Sequence, residues 1–143
     1  MLYEVNVRQF TTDGTFNSLR EHLPRLSELG ADILWIMPVH PISRDNRKGS
    51  LGSYYAVADY KAVNPEFGSL SDFITLVEEA HALGMKVILD WVPNHTGRDH
   101  PWVKGHPERY ARNSEGQMYG PYDWTDVYKL DYNSESTRAA MLD

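Results

Sequence analysis

The sequence predicts an α/β fold: a parallel sheet of three apolar strands with helical crossovers, and a long lobe after the third strand. Two observations carry this. Val87-Ile88-Leu89-Asp90-Trp91-Val92-Pro93-Asn94-His95 is a short apolar run that ends abruptly in Asp, Asn and His. A buried parallel strand delivering polar side chains at its C-terminal edge has this look. The second is the order strand, helix, strand, helix, strand, which implies parallel pairing through right-handed crossovers.

Leu2-Tyr3-Glu4-Val5-Asn6-Val7 alternates apolar and polar residues and reads as the first strand. Phe16, Leu19, Leu23, Leu26 and Leu29 make one helical stripe, which Gly30 stops. Pro24 lies inside that stripe, so a kink or restart is expected near Leu23, because proline lacks the N–H donor and clashes one turn back. Ile33-Leu34-Trp35-Ile36-Met37 is a continuous apolar run ending at Pro38, a second strand expected to be buried on both faces. The irregular stretch from Val39 to Gly68 holds Tyr54, Tyr55, Tyr60 and Phe67, which argues for order. Ser69 with Asp72 makes a capping-box-like start for the next helix, whose stripe is Leu70, Phe73, Leu76, Val77, Ala80 and Leu83. Gly84 ends it and Met85–Leu89 is the third strand.

Residues 93–133 carry many Gly, Pro, Asn and Tyr and few periodic apolar positions. That is too long for an ordinary strand-to-helix loop and reads as an inserted lobe. Ser136–Leu142 starts a helix that the chain end cuts off. A (β/α)8 TIM barrel takes about 250 residues, so three strands are under half of one. The expected division is a partial (β/α)8 barrel over 1–92, its first three βα units, then the lobe over 93–133 and a truncated helix over 134–143, with the outer strands left as unpaired edges.

Composition excludes several classes. A net charge of −6 with no Lys/Arg run argues against nucleic acid as a partner. No segment approaches the ~18–20 apolar residues of a membrane span, and MLYEVNVRQF lacks the basic and apolar regions of a signal peptide. Zero cysteines exclude a disulfide framework and thiol chemistry, without deciding the compartment. Nine Tyr and four Trp suit a polar ligand with apolar faces, and equally a protein interface.

Asp90, Asn94 and His95 follow the third strand, where functional groups of such folds collect. They suit hydrogen bonding to a polyhydroxylated ligand or a bound cation. The competing reading is that Asp90 caps its own loop and His95 is a satisfied buried side chain. Asn94-His95-Thr96 also matches the glycosylation acceptor pattern. His95, His100 and His106, spaced by five and six with Pro101 and Gly105 between, fit no zinc pattern. Trp102, Tyr110, Tyr119, Tyr122 and Trp124 read as lobe core for the most part, with a ligand groove as the alternative.

The segment D-W-V-P-N-H resembles the first conserved segment, D-x-x-x-N-H, of the α-amylase family of glycoside hydrolases. YEVNVRQFT resembles that family's first strand, GADILWIMPVHPI its second strand and turn, and GSYYAVADYKAVNPEFGS the aromatic loop before its second helix. HALGMKVILDWVPNHTG runs from that helix into the conserved segment. Four segments in order, at sensible spacing, cover almost the whole chain.

The resemblance implies a (β/α)8 barrel with an extra lobe after the third strand and a retaining hydrolase acting on α-glucans such as starch, glycogen and maltooligosaccharides. Tyr55 then resembles the tyrosine that stacks on the sugar beside the scissile bond. His95 resembles the histidine that binds that sugar's primary hydroxyl, Asp90 the aspartate that braces the site through an arginine on the next strand, and Asn94 a calcium-binding asparagine. The family's nucleophile, general acid and transition-state-stabilising aspartate lie on later strands, so no catalytic residue is expected in this chain, which alone is expected to be inactive. Lys129, in Tyr128-Lys129-Leu130-Asp131, stands where the family often has a calcium-binding aspartate. A lysine cannot ligate calcium, though its ammonium can stand where the ion does. The expected partners are an α-glucan and the rest of the barrel, or a second copy paired through exposed edges. The alternative is an inactive relative serving as a carbohydrate-binding or interaction module.

Overall fold

Three parallel strands organise the first of two compact units in the computed structural model, which describes all 143 residues. Met1–Val39 and Lys61–Trp91 form this unit, and His40–Tyr60 with Val92–Asp143 form the other. The first holds β1 (Leu2–Val5), α1 (Val7–Phe10), α2 (Phe16–Arg20), α3 (Leu23–Glu28), β2 (Ile33–Ile36), α4 (Leu70–Ala82) and β3 (Lys86–Leu89). The strands lie in the order β1-β2-β3, with Val5 opposite Ile36 and Ile36 opposite Leu89. Paired residues of parallel strands share a face. One face brings Val5, Leu34 and Ile36 into a core with Phe16, Leu19, Leu23, Leu26, Leu76 and Met85.

The other face, with Leu2 and Ile88 in alternate register, is uncovered: Leu2 is 50% exposed and Ile88 45%. The third strand is therefore not the buried strand its apolar run suggests, and β2 is half-buried at Ile33 and Trp35 instead of buried on both faces. The physical reason is that only one face of the three-stranded sheet is covered by helices, so the alternate side chains on the other face stay accessible, and β3 is also the sheet's edge.

Local chemistry explains the element boundaries. β1 stops at Val5, short of the expected Val7, because the Asn6 carbonyl accepts the N–H groups of Gln9 at 3.1 Å and Phe10 at 3.0 Å and winds the chain into α1. The stripe from Phe16 to Leu29 is two helices with a restart at Leu23. Pro24 sits in the first turn of α3, where its missing donor costs nothing. Ser69 and Asp72 make a full capping box on α4, as expected. Phe16 packs edge-on against Phe67 at 6.0 Å and tilted against Phe73 at 5.2 Å, joining α2 to α4.

The second unit contains β4 (His95–Gly97), α5 (Pro101–Gly105), a single 3-10 turn at Pro107–Arg109, β5 (Val127–Lys129) and α6 (Glu135–Leu142). β4 and β5 pair antiparallel, with His95 opposite Lys129. The segment 40–60 is tied to β4: Ile42 bridges Val57, and Gly97 N–H donates to the Val57 carbonyl at 2.8 Å. Gly97 has no room for a side chain, since a Cβ there would lie 2.3 Å from Ser43 Cβ and 3.0 Å from the Ala56 carbonyl oxygen. Buried Thr96 and Tyr110 share a hydroxyl–hydroxyl bond of 2.8 Å at the centre of the unit.

Candidate functional site

The chain leaves β3 at Asp90, whose N–H donates to the Ile36 carbonyl at 2.8 Å, and enters the second unit at Val92. Tyr60 fixes the path that follows. Its buried hydroxyl lies 2.7 Å from the Val92 carbonyl and 2.9 Å from that of His95, and burial pushes its pKa far up, so it stays a proton donor. His95 is thereby held at the start of β4 with only 7% of its surface exposed.

The His95 ring has three neighbours that define its state. Asn94 Nδ2 lies 3.0 Å from its Nδ1, and as the donor it leaves the ring proton on Nε2. The ring is also hydrogen-bonded to the Tyr55 backbone, and Trp124 meets it edge-on at 5.4 Å. Burial lowers the His95 pKa below the ordinary value, against the opposing pull of the Tyr55 hydrogen bond and the Asp126 carboxylate. His95 is thus a neutral imidazole at pH 7.

Tyr55 lies on the loop 53–57, where its N–H donates to Ser53 Oγ at 3.2 Å and its ring leans on Tyr54 at 5.2 Å. With His95, Trp124, Ser53 and Val127 it walls a cavity of about 370 Å³. The polar corner is an ion pair, Lys48 Nζ to Asp126 Oδ1 at 3.4 Å, in which the Asp126 side chain is almost wholly buried. Aromatic faces beside a few fixed polar groups in a hollow of this size suit a small polyhydroxylated ring, whose C–H face is apolar and whose rim is polar.

The expected site residues are brought together in part. Tyr55 and His95 share the cavity, and Asn94 contacts it through the His95 ring. Asp90 belongs to the first unit, at the C-terminal end of β3. Lys129 lines a different hollow with Asp131, Arg112 and Tyr119. Reading the sequence missed Lys48 and Asp126, which lie 78 positions apart in a chain where no spacing rule links them. It also missed Tyr60 as a brace. Of the five aromatics read mostly as lobe core, only Tyr110 is buried; Tyr119, Tyr122 and Trp124 are corrected to surface, Tyr122 at 88% exposure.

Calcium takes six to eight oxygen ligands. Nowhere do three His, Asp or Glu side chains converge on a common point, and Asn94 engages the His95 ring through its Nδ2. The acidic and histidine side chains of this chain do not by themselves supply such a cage. Likewise His100 is buried as the N-cap of α5 while His106 pairs with Glu108 at the surface, so neither joins His95 around a metal.

The family model "Alpha amylase, catalytic domain" matches residues 6–138. The chain belongs to the α-amylase family. A crystal structure of an α-amylase from Lactobacillus plantarum is 44% identical, with a TM-score of 0.97, over 100% of this chain and 34% of that one. "Alpha-amylase SusG" of Bacteroides thetaiotaomicron is 45% identical over 120 residues, 82% of this chain and 16% of its own length. An "Alpha-1,4-glucan:maltose-1-phosphate maltosyltransferase" of Arcanobacterium haemolyticum is 36% identical over 143 residues, 87% of this chain and 20% of its own. The chain thus spans a fifth or less of these curated relatives and a third of the solved α-amylase. The α-amylase catalytic fold is a TIM-barrel fold, and the three parallel strands found here fit it.

Proposed function

We propose that this chain is the N-terminal part of the barrel of a retaining, α-glucan-active glycoside hydrolase, and that its cavity holds one sugar ring beside the scissile bond. The observation that carries the proposal is the pairing of Tyr55 and His95 across one cavity with Asp126 and Lys48 at its polar corner. The Tyr55 ring takes the apolar face of the sugar. Neutral His95, its Nδ1 held by Asn94 and its ring N–H by the Tyr55 backbone, is a fixed wall of the cavity, and the ion pair serves the polar rim. Asp90 is a positioning residue, bracing the site through an arginine of a later strand, and residues 93–133 are the lobe inserted after the third. Asn94 serves as the partner of the His95 ring in place of an ion ligand.

Retaining hydrolysis needs two carboxyl groups about 5–5.5 Å apart, one nucleophile and one acid. The cavity wall contains one carboxylate, Asp126, and Lys48 engages it. On this reading the residues bind and orient, and the bond-breaking pair comes from elsewhere in the enzyme. The test is kcat/KM of the full-length protein on maltooligosaccharides. Tyr55→Ala and His95→Ala should each lower it at least tenfold, or about 1.4 kcal/mol of transition-state binding. Unchanged kcat/KM in both variants sinks the proposal. Tight glucan binding by an unmodified protein that turns over no glucan favours the inactive carbohydrate-binding relative.

A further inference from the structure

We propose that Tyr122 and Trp124 form a second sugar platform, a subsite adjoining the Tyr55–His95 cavity that takes the neighbouring residue of an α-glucan and sets a preference for longer chains. The inference rests on reading the cavity as a sugar site. It begins from Tyr122, which is 88% exposed and has a positive backbone φ of 54°. That left-handed conformation is strained for a residue with a Cβ, and such strain persists only where the surroundings impose it.

The surroundings do impose it. Gly120 passes so close to the loop's far side that a Cβ there would lie 2.0 Å from the Trp124 carbonyl oxygen. Trp124 N–H closes the turn onto the Pro121 carbonyl at 3.2 Å. The next carbonyl, Thr125, accepts from Arg98 Nη1 at 3.1 Å and Asn46 Nδ2 at 3.2 Å. A turn clamped at both ends thus holds an aromatic ring out from the chain, with nothing among these 143 residues burying it.

The ring is not isolated. Tyr122 and Trp124 lie 5.2 Å apart with planes 56° inclined, and Trp124 in turn meets His95 at 5.4 Å. Trp124 lines both the cavity and the outer hollow that contains Tyr122, so it is the wall the two share. A glucan threaded from the cavity over Trp124 finds a second aromatic face immediately outside. Stacking on an exposed, pre-positioned ring costs little ordering of the protein.

The experiment is calorimetric titration of the full-length protein with glucose and with uncleavable, sulfur-linked analogues of maltose, maltotriose and maltohexaose, alongside Tyr122→Ala, Tyr122→Phe and Tyr55→Ala. Tyr122 is exposed enough that its variants should fold, and equal melting temperatures check this. Tyr122→Ala should weaken maltohexaose by roughly tenfold and leave glucose unchanged, while Tyr122→Phe retains wild-type affinity. Trp124 fluorescence should respond to the long ligand in the wild type more than in Tyr122→Ala. Equal affinities of Tyr122→Ala and wild type at every length overturn the platform and leave the cavity reading standing. A loss of equal size at every length also overturns it, since the ring then serves the first sugar. If Tyr55→Ala changes nothing at any length, the cavity reading falls, and an adjoining subsite falls with it.

Discussion

At the residue scale, His100 shows how the unit around the cavity couples to pH. Its ring lies between Tyr60 at 5.4 Å and Trp102 at 4.6 Å, and its Nδ1 accepts the Trp102 N–H at 3.2 Å. Burial lowers its pKa from 6.5 to about 4; the carboxylates of Asp59 and Asp99 favour its charged form, and Arg109 opposes it. Because the folded value lies below the unfolded one, the unfolded chain takes up the proton first as pH falls. Stability is therefore full above about pH 6.5 and is lost progressively toward pH 4, by roughly 3 kcal/mol at most. Denaturant unfolding from pH 7.5 to 4 should show that decline, and His100→Gln should flatten it, leaving the smaller contribution of His95 in the same direction. A slope unchanged in His100→Gln would place the sensitivity elsewhere. That His95 and Tyr55 would lie at one cavity was legible only through the resemblance of D-W-V-P-N-H and of the aromatic loop before it. Lys48, Asp126 and Tyr60 were not, because their roles come from contacts across long sequence separations that leave no local periodicity.

At the element scale, α2, α3, α4 and the three parallel strands announced themselves because each lies in a pattern long enough to read. The Ser69–Asp72 box marked the start of α4, and the restart at Leu23 followed from a single proline. β4 and β5 are three residues each, too short for alternation to show, and their pairing joins His95 to Lys129 across an irregular stretch. α1 was hidden for another reason: its first residue, Val7, continues the alternation of β1, and four residues are too few for a helical stripe to show. Gly97 is the point in β4 that leaves no room for a side chain. Gly97→Ala must push apart Ser43 and the Ala56 carbonyl, the base of the loop that carries Tyr55. Overpacking of this kind costs about 1–3 kcal/mol, and the midpoint of denaturant unfolding should fall accordingly. A ligand affinity that falls with it would show that the displaced loop takes Tyr55 along, whereas an unchanged midpoint would mean the loop yields freely.

At the scale of the whole molecule, reading Asn94 as the partner of the His95 ring makes a simple prediction. Chelation with EDTA should leave the melting temperature where it was, and added millimolar calcium should not raise it. A rise that Asn94→Ala abolishes would restore Asn94 as an ion ligand. The division into units has a further consequence for how the chain comes into being. The cavity draws its two principal walls from stretches on either side of Lys61–Trp91. A ribosome working at roughly 5–20 residues per second emits Tyr55 seconds before His95. Through that interval the short bridge between Ile42 and Val57 is local enough to close, while the Gly97 and His95 contacts have no partner to meet. The nascent chain therefore carries an aromatic half-site waiting for its imidazole, and protease sensitivity of the 43–57 loop should persist until the residues after Asn94 have cleared the exit tunnel.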